Sequence, residues 1–245
     1  MRIAVAGATG VVGTYVVQVA RARGHEVVGL ARSLGVDLST GAGLAERLAG
    51  VEAVVDTTSV ATQKRAVAEA FFGGVTRTLQ EAEAAAGVGH HVTLSIVGID
   101  RVPSGYYQGK LLQEQVVAAG AVPWSILRAT QFHEFAQQAL GFVRIGPLSL
   151  VPRMTSQPVA AVEVAQALVE LVEEGPAGRV DDLAGPEVLQ MTDLARRVSQ
   201  AHGLGRRVVP VRLPGAAGSA MRGRGLLPDL DGPRGHLSFD AWLAT

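Results

Sequence analysis

Tyr106 and Lys110 stand four residues apart in the segment Tyr106-Tyr107-Gln108-Gly109-Lys110, a spacing that places both on one face if the segment is helical. A phenol whose pKa is lowered by a nearby cation can give its proton to a developing alkoxide. The ammonium can also hold a sugar hydroxyl. Tyr107 has no lysine at that spacing, so the register selects Tyr106. Lys64 and Lys110 are the only lysines, and there are three tyrosines, so the pair is an uncommon coincidence in a chain that otherwise uses arginine, which does not replace lysine at such a site. The competing reading is an exposed helix carrying an ordinary aromatic. Gly109 is a poor helix former and points to something bulky approaching that face. Ser95, in Leu94-Ser95-Ile96-Val97-Gly98, ends an apolar run and could bond a substrate oxygen or simply serve a turn.

A second group of residues could hold a phosphate. Gly7-Ala8-Thr9-Gly10-Val11-Val12-Gly13 follows an apolar run and opens a helical pattern. Backbone N–H groups at such a helix start, with glycines permitting a tight turn and close approach, suit a dinucleotide pyrophosphate. The spacing is G-x-x-G-x-x-G, and its weight comes from its place at the first strand–helix turn. Arg32-Ser33 follows the second apolar run, where an acidic residue would suit a ribose 2′-hydroxyl and a cation a 2′-phosphate. Guanidinium plus hydroxyl fits the phosphate, so NADP(H) is preferred and NAD(H) remains possible. Asp37-Leu38 is placed to bracket an adenine. Thr57-Thr58-Ser59 could line the ribose and phosphate edge, and both groups serve equally as caps or turns.

The elements that must position these residues alternate regularly. Apolar runs at Ile3–Ala6, Glu26–Leu30, Ala53–Asp56, Val92–Ser95 and Trp124–Leu127 read as strands. Helical patterns occupy Val11–Ala22, Ala42–Leu48, Thr62–Ala86, Tyr106–Ala119 and Gln131–Leu140. The runs are continuously apolar, as in a parallel sheet covered on both faces, and the alternation predicts a doubly wound α/β fold. After about residue 141 the rhythm loosens. A helix is expected at Val159–Glu174, a strand at Arg179–Leu183, a helix at Thr192–Ala201, a strand at Arg207–Val211 and a Gly/Pro-rich run from Pro214 to Gly235. The organisation expected is a dinucleotide-binding core over 1–140 and a smaller, irregular substrate lobe over 141–245 completing the same domain.

Composition removes several classes. The 245 residues are 48% hydrophobic and 18% charged, enough for a sizeable core and against wholesale disorder. Lys+Arg and Asp+Glu are 22 each, so nucleic acid and anionic membranes are not expected partners. The absence of cysteine excludes thiolate chemistry and disulfides and fits a reducing compartment. No window approaches the ~18 uninterrupted apolar residues of a membrane span, and the opening lacks a signal-peptide pattern, so a soluble, cytoplasmic placement is expected. His90-His91 precede a strand, no two histidines have ligand spacing on a helix, and no metal is expected. His133-Glu134 could border the substrate pocket but reads first as a surface pair, and Glu81 and Glu83 read as a solvated helix face. The helix Thr192–Ala201 has a superficial DNA-reading look to which Arg196-Arg197 and Arg206-Arg207 add charge, but a strand pattern follows in place of a second helix.

Taken together, GATGVVG, LARS, the Asp37-Leu38 pair, LSIVGIDRVPSGYYQGKLLQE, VPWSILRATQFHEF, LAGPEVLQMTDLARRV and the ending FDAWLA resemble the short-chain dehydrogenase/reductase superfamily, most closely its atypical NmrA-like, quinone-oxidoreductase-like branch. The resemblance implies a Rossmann-like domain binding NADP(H), with Tyr106 as acid/base, Lys110 as its partner and ribose anchor, and Ser95 as the helper hydroxyl. Thr130, Gln131 and Phe132 would flank the nicotinamide. Ser95 precedes Tyr106 by 11 residues, closer than is usual for the superfamily, which leaves open which hydroxyl assists. The expected activity is NADP(H)-dependent hydride transfer to a small carbonyl or quinone-like substrate, in a pocket lined by Phe132, Phe135 and the Gly/Pro-rich run. The alternatives are a non-catalytic dinucleotide sensor engaging a protein partner, as in branch members many of which lack the Tyr–Lys pair, and a nucleotide-sugar epimerase.

Overall fold

A computed structural model describes residues 1–229 and 232–245; residues 230 and 231, inside the predicted Gly/Pro-rich run, lie outside it. Two compact units share the chain discontinuously. One comprises Met1–Ser95, Ser104–Arg128 and Val162–Asp181, the other Ile96–Pro103, Ala129–Ala161 and Asp182–Thr245.

The first unit is built on a six-stranded sheet. Its strands are β1 (Arg2–Ala6), β2 (Glu26–Leu30), β3 (Ala53–Asp56), β4 (His90–Ile96), β5 (Trp124–Ala129) and β9 (Gly178–Arg179), in the order β2-β1-β3-β4-β5-β9. β1 pairs in parallel with both β2 and β3, β3 with β4, and β5 with β9. This is the predicted doubly wound arrangement. Its inner strands are buried almost without interruption: four of five residues in β1, all four in β3, six of seven in β4 and five of six in β5. Such burial requires cover on both faces of the sheet. The helices are α1 (Val11–Ala22), α2 (Leu44–Leu48), α3 (Arg65–Ala86), α4 (Gly105–Ala119) and α6 (Ala161–Glu174). α1 turns Val12, Val16 and Ala20 inward at four-residue spacing. Leu30, Val36, Leu44, Leu48, Val54 and Leu79 form a buried cluster with Ala4 and Ala6.

The second unit carries α5 (Phe135–Phe142), β6 (Arg144–Ile145), β7 (Leu148–Pro152), β8 (Thr155–Ser156), β10 (Leu189–Gln190), α7 (Met191–Ala201), β11 (Arg207–Val211), α8 (Gly215–Arg222) and α9 (Phe239–Leu243). β11 runs parallel to β7 and β6 antiparallel to it, while β8 and β10 form a separate antiparallel pair. Met191, Leu194 and Val198 of α7, with Leu226 and Phe239, are fully buried.

Several boundaries depart from the sequence reading, each for a visible reason. β4 begins at His90, so His90 and His91 belong to the strand instead of preceding it, pairing with Ala53 and Val54 of β3. α5 begins at Phe135, not Gln131, because Val159 N–H donates to the Gln131 carbonyl and His133 N–H to the Val159 carbonyl, both at 3.0 Å. Those bonds hold the chain extended. α2 starts at Leu44, since Gly43 before it has φ +75°. The strand expected over Arg179–Leu183 is reduced to Gly178–Arg179, and the Gly/Pro-rich run contains α8. Among the described residues no helix is long and apolar enough to cross a membrane.

Candidate functional site

The glycine turn lies where the strand order reverses. From β1 the chain goes to β2 on one side, and β3 returns on the other, so the C-terminal ends of β1 and β3 border the topological switch point where open α/β sheets take ligands. Gly7 has φ +77°, and a Cβ there would lie 2.9 Å from the Thr57 carbonyl oxygen; one on Gly13 would lie 2.1 Å from the Gly7 carbonyl oxygen. Both positions therefore exclude a side chain. The Gly7 N–H donates to Leu30 O and the Thr57 N–H to Ala6 O, each at 3.0 Å, tying the turn to β2 and β3. Gly10 caps α1 without any side-chain hydrogen bond, and the first turn holds no acidic residue. Thr9, Gly10 and Val11 are exposed, Val12 and Gly13 buried. A helix start of this kind leaves first-turn N–H donors for an anion. Two hydroxyls close in sequence to the strand ends, Thr58 Oγ1 and Ser95 Oγ, are buried with no hydrogen-bond partner among the described residues. Open donors, a turn closed to side chains and orphaned hydroxyls fit a dinucleotide.

Arg32 and Ser33 are exposed and begin a short 3-10 turn, Arg32–Leu34, just past β2. Asp37 accepts from Ser39 N–H at 2.9 Å and from Ser39 Oγ–H at 2.6 Å. Those bonds, with Arg32 contributing, hold its carboxyl below the usual range. Leu38 packs against the buried cluster of the first unit. The Asp37-Leu38 pair thus makes a turn and a packing contact. Thr57 Oγ–H donates to Ala6 O at 2.8 Å and Thr58 N–H to Asp56 Oδ1 at 2.8 Å. Of Thr57-Thr58-Ser59, only Thr57 has its hydroxyl spent on the backbone.

Tyr106 and Lys110 lie on α4 as the spacing predicts, but they do not face each other as donor and cation. The Tyr106 hydroxyl bonds Ser59 Oγ at 2.9 Å. Burial raises its pKa and the Ser59 bond lowers it. The Lys110 ammonium donates to Leu94 O at 2.7 Å and to Gln113 Oε1, and sits 4.8 Å from the centre of the Phe72 ring. Tyr106 packs edge-on against the same ring, centroids 5.4 Å apart. The expectation that Lys110 lowers the phenol is therefore overturned: burial raises the Tyr106 pKa on balance, and the group that opposes the rise is Ser59. Burial pulls the Lys110 pKa down to about 8, against the opposing pull of Asp56 and Glu114. Gln113 Nε2–H donates to Asp56 Oδ2 at 2.8 Å, linking α4 to the end of β3. Burial also pushes Tyr107 well up. The bulky neighbour expected at Gly109 is α3, since a Cβ there would lie 2.7 Å from the Ala68 backbone and side chain.

Thr130, Gln131, Phe132 and His133 belong to the second unit. The Thr130 hydroxyl donates to Gln157 O at 2.5 Å, and the Gln131 amide is buried with neither polar atom paired among the described residues. Phe132 is half-buried. His133 is not a surface residue: it is 1% exposed, packed against Phe239 and Trp242, with Nε2 3.0 Å from Leu237 O. Glu134 beside it is half-buried, and burial raises its pKa.

Sequence reasoning also missed a buried pair in the first unit. Glu83, read as solvated, is fully buried, and its carboxylate oxygens lie 2.8 and 2.9 Å from His91 Nδ1. Thr93 Oγ1 lies 2.7 Å from His91 Nε2. Burial pushes the imidazole pKa down, but Glu83 and Asp56 outweigh it and the net shift is upward. A signal was present: Glu83 continues the inward row Ala68, Phe72, Val75, Leu79 of α3. Glu81 is exposed.

No family model matches the sequence, and no curated protein matches it. Solved structures match its fold. A short-chain dehydrogenase/reductase superfamily protein from Agrobacterium tumefaciens with bound NAD is 21% identical, covering 100% of this chain and 95% of its own, with a TM-score of 0.69. The UDP-glucose 4-epimerase of Thermus thermophilus in complex with NAD is 19% identical, covering 99% of each chain, TM-score 0.69. An NADPH-dependent quinone oxidoreductase from Escherichia coli is 19% identical, covering 99% of this chain and 98% of its own, TM-score 0.67. The Rossmann-like α/β fold of the short-chain dehydrogenase/reductases is the fold of this chain.

Proposed function

We propose that this chain, folded like the NAD(P)-binding short-chain dehydrogenase/reductases, is an NADP(H)-dependent oxidoreductase acting on a small carbonyl or quinone-like molecule. The observation that carries the reading is the 2.9 Å bond between Ser59 and Tyr106, because it ties a phenol to the sheet edge that also carries the glycine turn. The first-turn N–H groups of Val11, Val12 and Gly13 would hold the pyrophosphate, with Thr9 and Gly10 leaving room for it. Arg32 and Ser33 would take the 2′-phosphate, Asp37 and Leu38 the adenine side, and Thr58 a ribose or phosphate oxygen. When bound, reduced nicotinamide supplies the hydride. Tyr106 then gives its proton to the substrate oxygen, Ser95 bonds that oxygen, and Lys110 fixes the face of α4 and anchors the ribose. The fold matches include an NADPH-dependent quinone oxidoreductase, which supports the redox reading.

The test is Tyr106→Phe. We expect the variant to lose turnover of NADPH against a panel of quinones and carbonyls by ~10²–10⁴-fold, the worth of a positioned acid, while NADPH still binds. Unchanged turnover would remove Tyr106 from the role. A second reading, epimerisation of a nucleotide sugar, is favoured by the epimerases among the fold matches. It requires tightly retained oxidised cofactor and no net redox. Tight NADPH binding with no turnover of any kind would instead mark a sensor that engages a protein partner.

A further inference from the structure

We propose that Ser59 is the relay through which Tyr106 exchanges its proton with solvent, an inference that rests on the proton-donor reading of Tyr106. Three observations meet here. Ser59 Oγ bonds the phenol oxygen at 2.9 Å, and Ser59 is exposed while Tyr106 is half-buried. Ser95, the helper hydroxyl that the resemblance implies, is 2% exposed and its Oγ has no partner among the described residues, the phenol included. Lys110 is 4% exposed, with its ammonium committed to Leu94 O and Gln113 Oε1. Of the three polar groups, only Ser59 both touches the phenol and reaches water.

The local chain is built to keep it there. Thr57 is fastened to Ala6 O by its N–H and its hydroxyl, and Thr58 N–H to Asp56 Oδ1. A Cβ on Gly105 would lie 2.4 Å from Gln63 O and 2.7 Å from Arg65 N, so the first turn of α4 lies directly against residues 63–65. Ser59 therefore leaves β3 at a fixed place, and the α4 turn bearing Tyr106 is packed onto the segment that follows it. The proton balance is simple. As the substrate oxygen becomes basic, the Tyr106 O–H bond breaks and a substrate O–H bond forms. The phenolate takes the Ser59 hydroxyl proton as the serine oxygen takes one from a solvent water, and the hydroxide left behind is neutralised in bulk solvent.

The test compares Ser59→Ala, Ser59→Thr, Ser95→Ala and Tyr106→Phe in the full-length chain, with two readouts. The first needs no turnover. Tyrosine labelled with carbon-13 at Cζ gives three resonances, for Tyr15, Tyr106 and Tyr107, and Tyr106→Phe assigns the relevant one. Ser59→Ala should move the Tyr106 titration to higher pH, Ser59→Thr should restore it, and Ser95→Ala should leave it unmoved. The second is reduction of 1,4-naphthoquinone by NADPH. Ser59→Ala should slow it roughly tenfold or more, a loss smaller than that of the acid itself, and change the solvent deuterium isotope effect. NADPH affinity should change by less than about threefold, since a charge-assisted cofactor contact would cost more. Ser59→Ala with unmoved titration and wild-type turnover overturns the relay. So does Ser95→Ala producing both effects. If Tyr106→Phe keeps the wild-type rate, or the wild type oxidises no NADPH on any quinone, the redox reading itself fails, and the resonance titration alone decides whether Ser59 holds the phenol.

Discussion

At the scale of single residues, burial and charge set what each candidate can do. Burial holds the Lys110 pKa down to about 8, below its ordinary 10.5, because it disfavours the ammonium more than Asp56 and Glu114 favour it. Between those two pH values the unfolded chain holds a proton that the folded chain has released, so stability rises with pH across that window. Urea unfolding at pH 8 and pH 10 should show wild type gaining stability relative to Lys110→Met as pH rises. A gap independent of pH would mean that Lys110 is not the buried cation described. Arg32 supplies a separate residue-level expectation. It is exposed beside the end of β2, where a 2′-phosphate would meet it. Arg32→Ala should weaken NADPH binding by ~1–3 kcal/mol, the worth of a charge-assisted contact, and leave NADH nearly unchanged. Calorimetry with both dinucleotides decides this, and equal losses would remove the 2′-phosphate contact.

At the scale of elements, α3 holds the helix that carries Tyr106 and Lys110 in place. α3 approaches α4 closely where Gly109 meets Ala68, and α3 is fixed to the sheet by the Glu83–His91 pair, both partners fully buried. Truncating one partner of a buried ion pair leaves an uncompensated charge. We expect Glu83→Ala to cost ~3–5 kcal/mol in urea unfolding at pH 6. The sign with pH follows from the raised His91 pKa. The imidazolium's contribution is fully present below its unfolded pKa and is lost as pH rises through the folded value. The gap between wild type and Glu83→Ala should therefore narrow toward alkaline pH. A gap that widens would mean that the imidazole is neutral in the fold. This pair also shows why helix patterning alone misleads: a carboxylate on an inward row reads as solvated until its partner is known, and His91 lies on another element.

At the scale of the whole molecule, any ligand of the folded chain alone stabilises it by mass action. NADPH at a hundredfold excess over its Kd should add ~2.7 kcal/mol, equivalent to roughly 5–10 °C in Tm for a chain of this size. Gly13→Val, which would drive a side chain into the Gly7 carbonyl, should abolish that shift, as thermal melts with and without NADPH will show. An undiminished shift in the variant would place the dinucleotide elsewhere.

The order of amino acids was enough to fix the alternation of strands and helices, with β2, β3 and α1 at their observed bounds. It was also enough for the glycine turn between β1 and α1 and for the common helix of Tyr106 and Lys110. Apolar runs, helical periodicity and short spacings are properties of one continuous segment, so they survive without knowledge of the fold. Three outcomes needed the folded chain: that Ser59, 47 residues from Tyr106, bonds the phenol, that Lys110 turns to Leu94 and Gln113, and that Glu83, His91 and His133 are buried. Those outcomes depend on which segments become neighbours, and neighbours distant in sequence are chosen by the packing of whole elements, which leaves no periodic trace in the residues themselves.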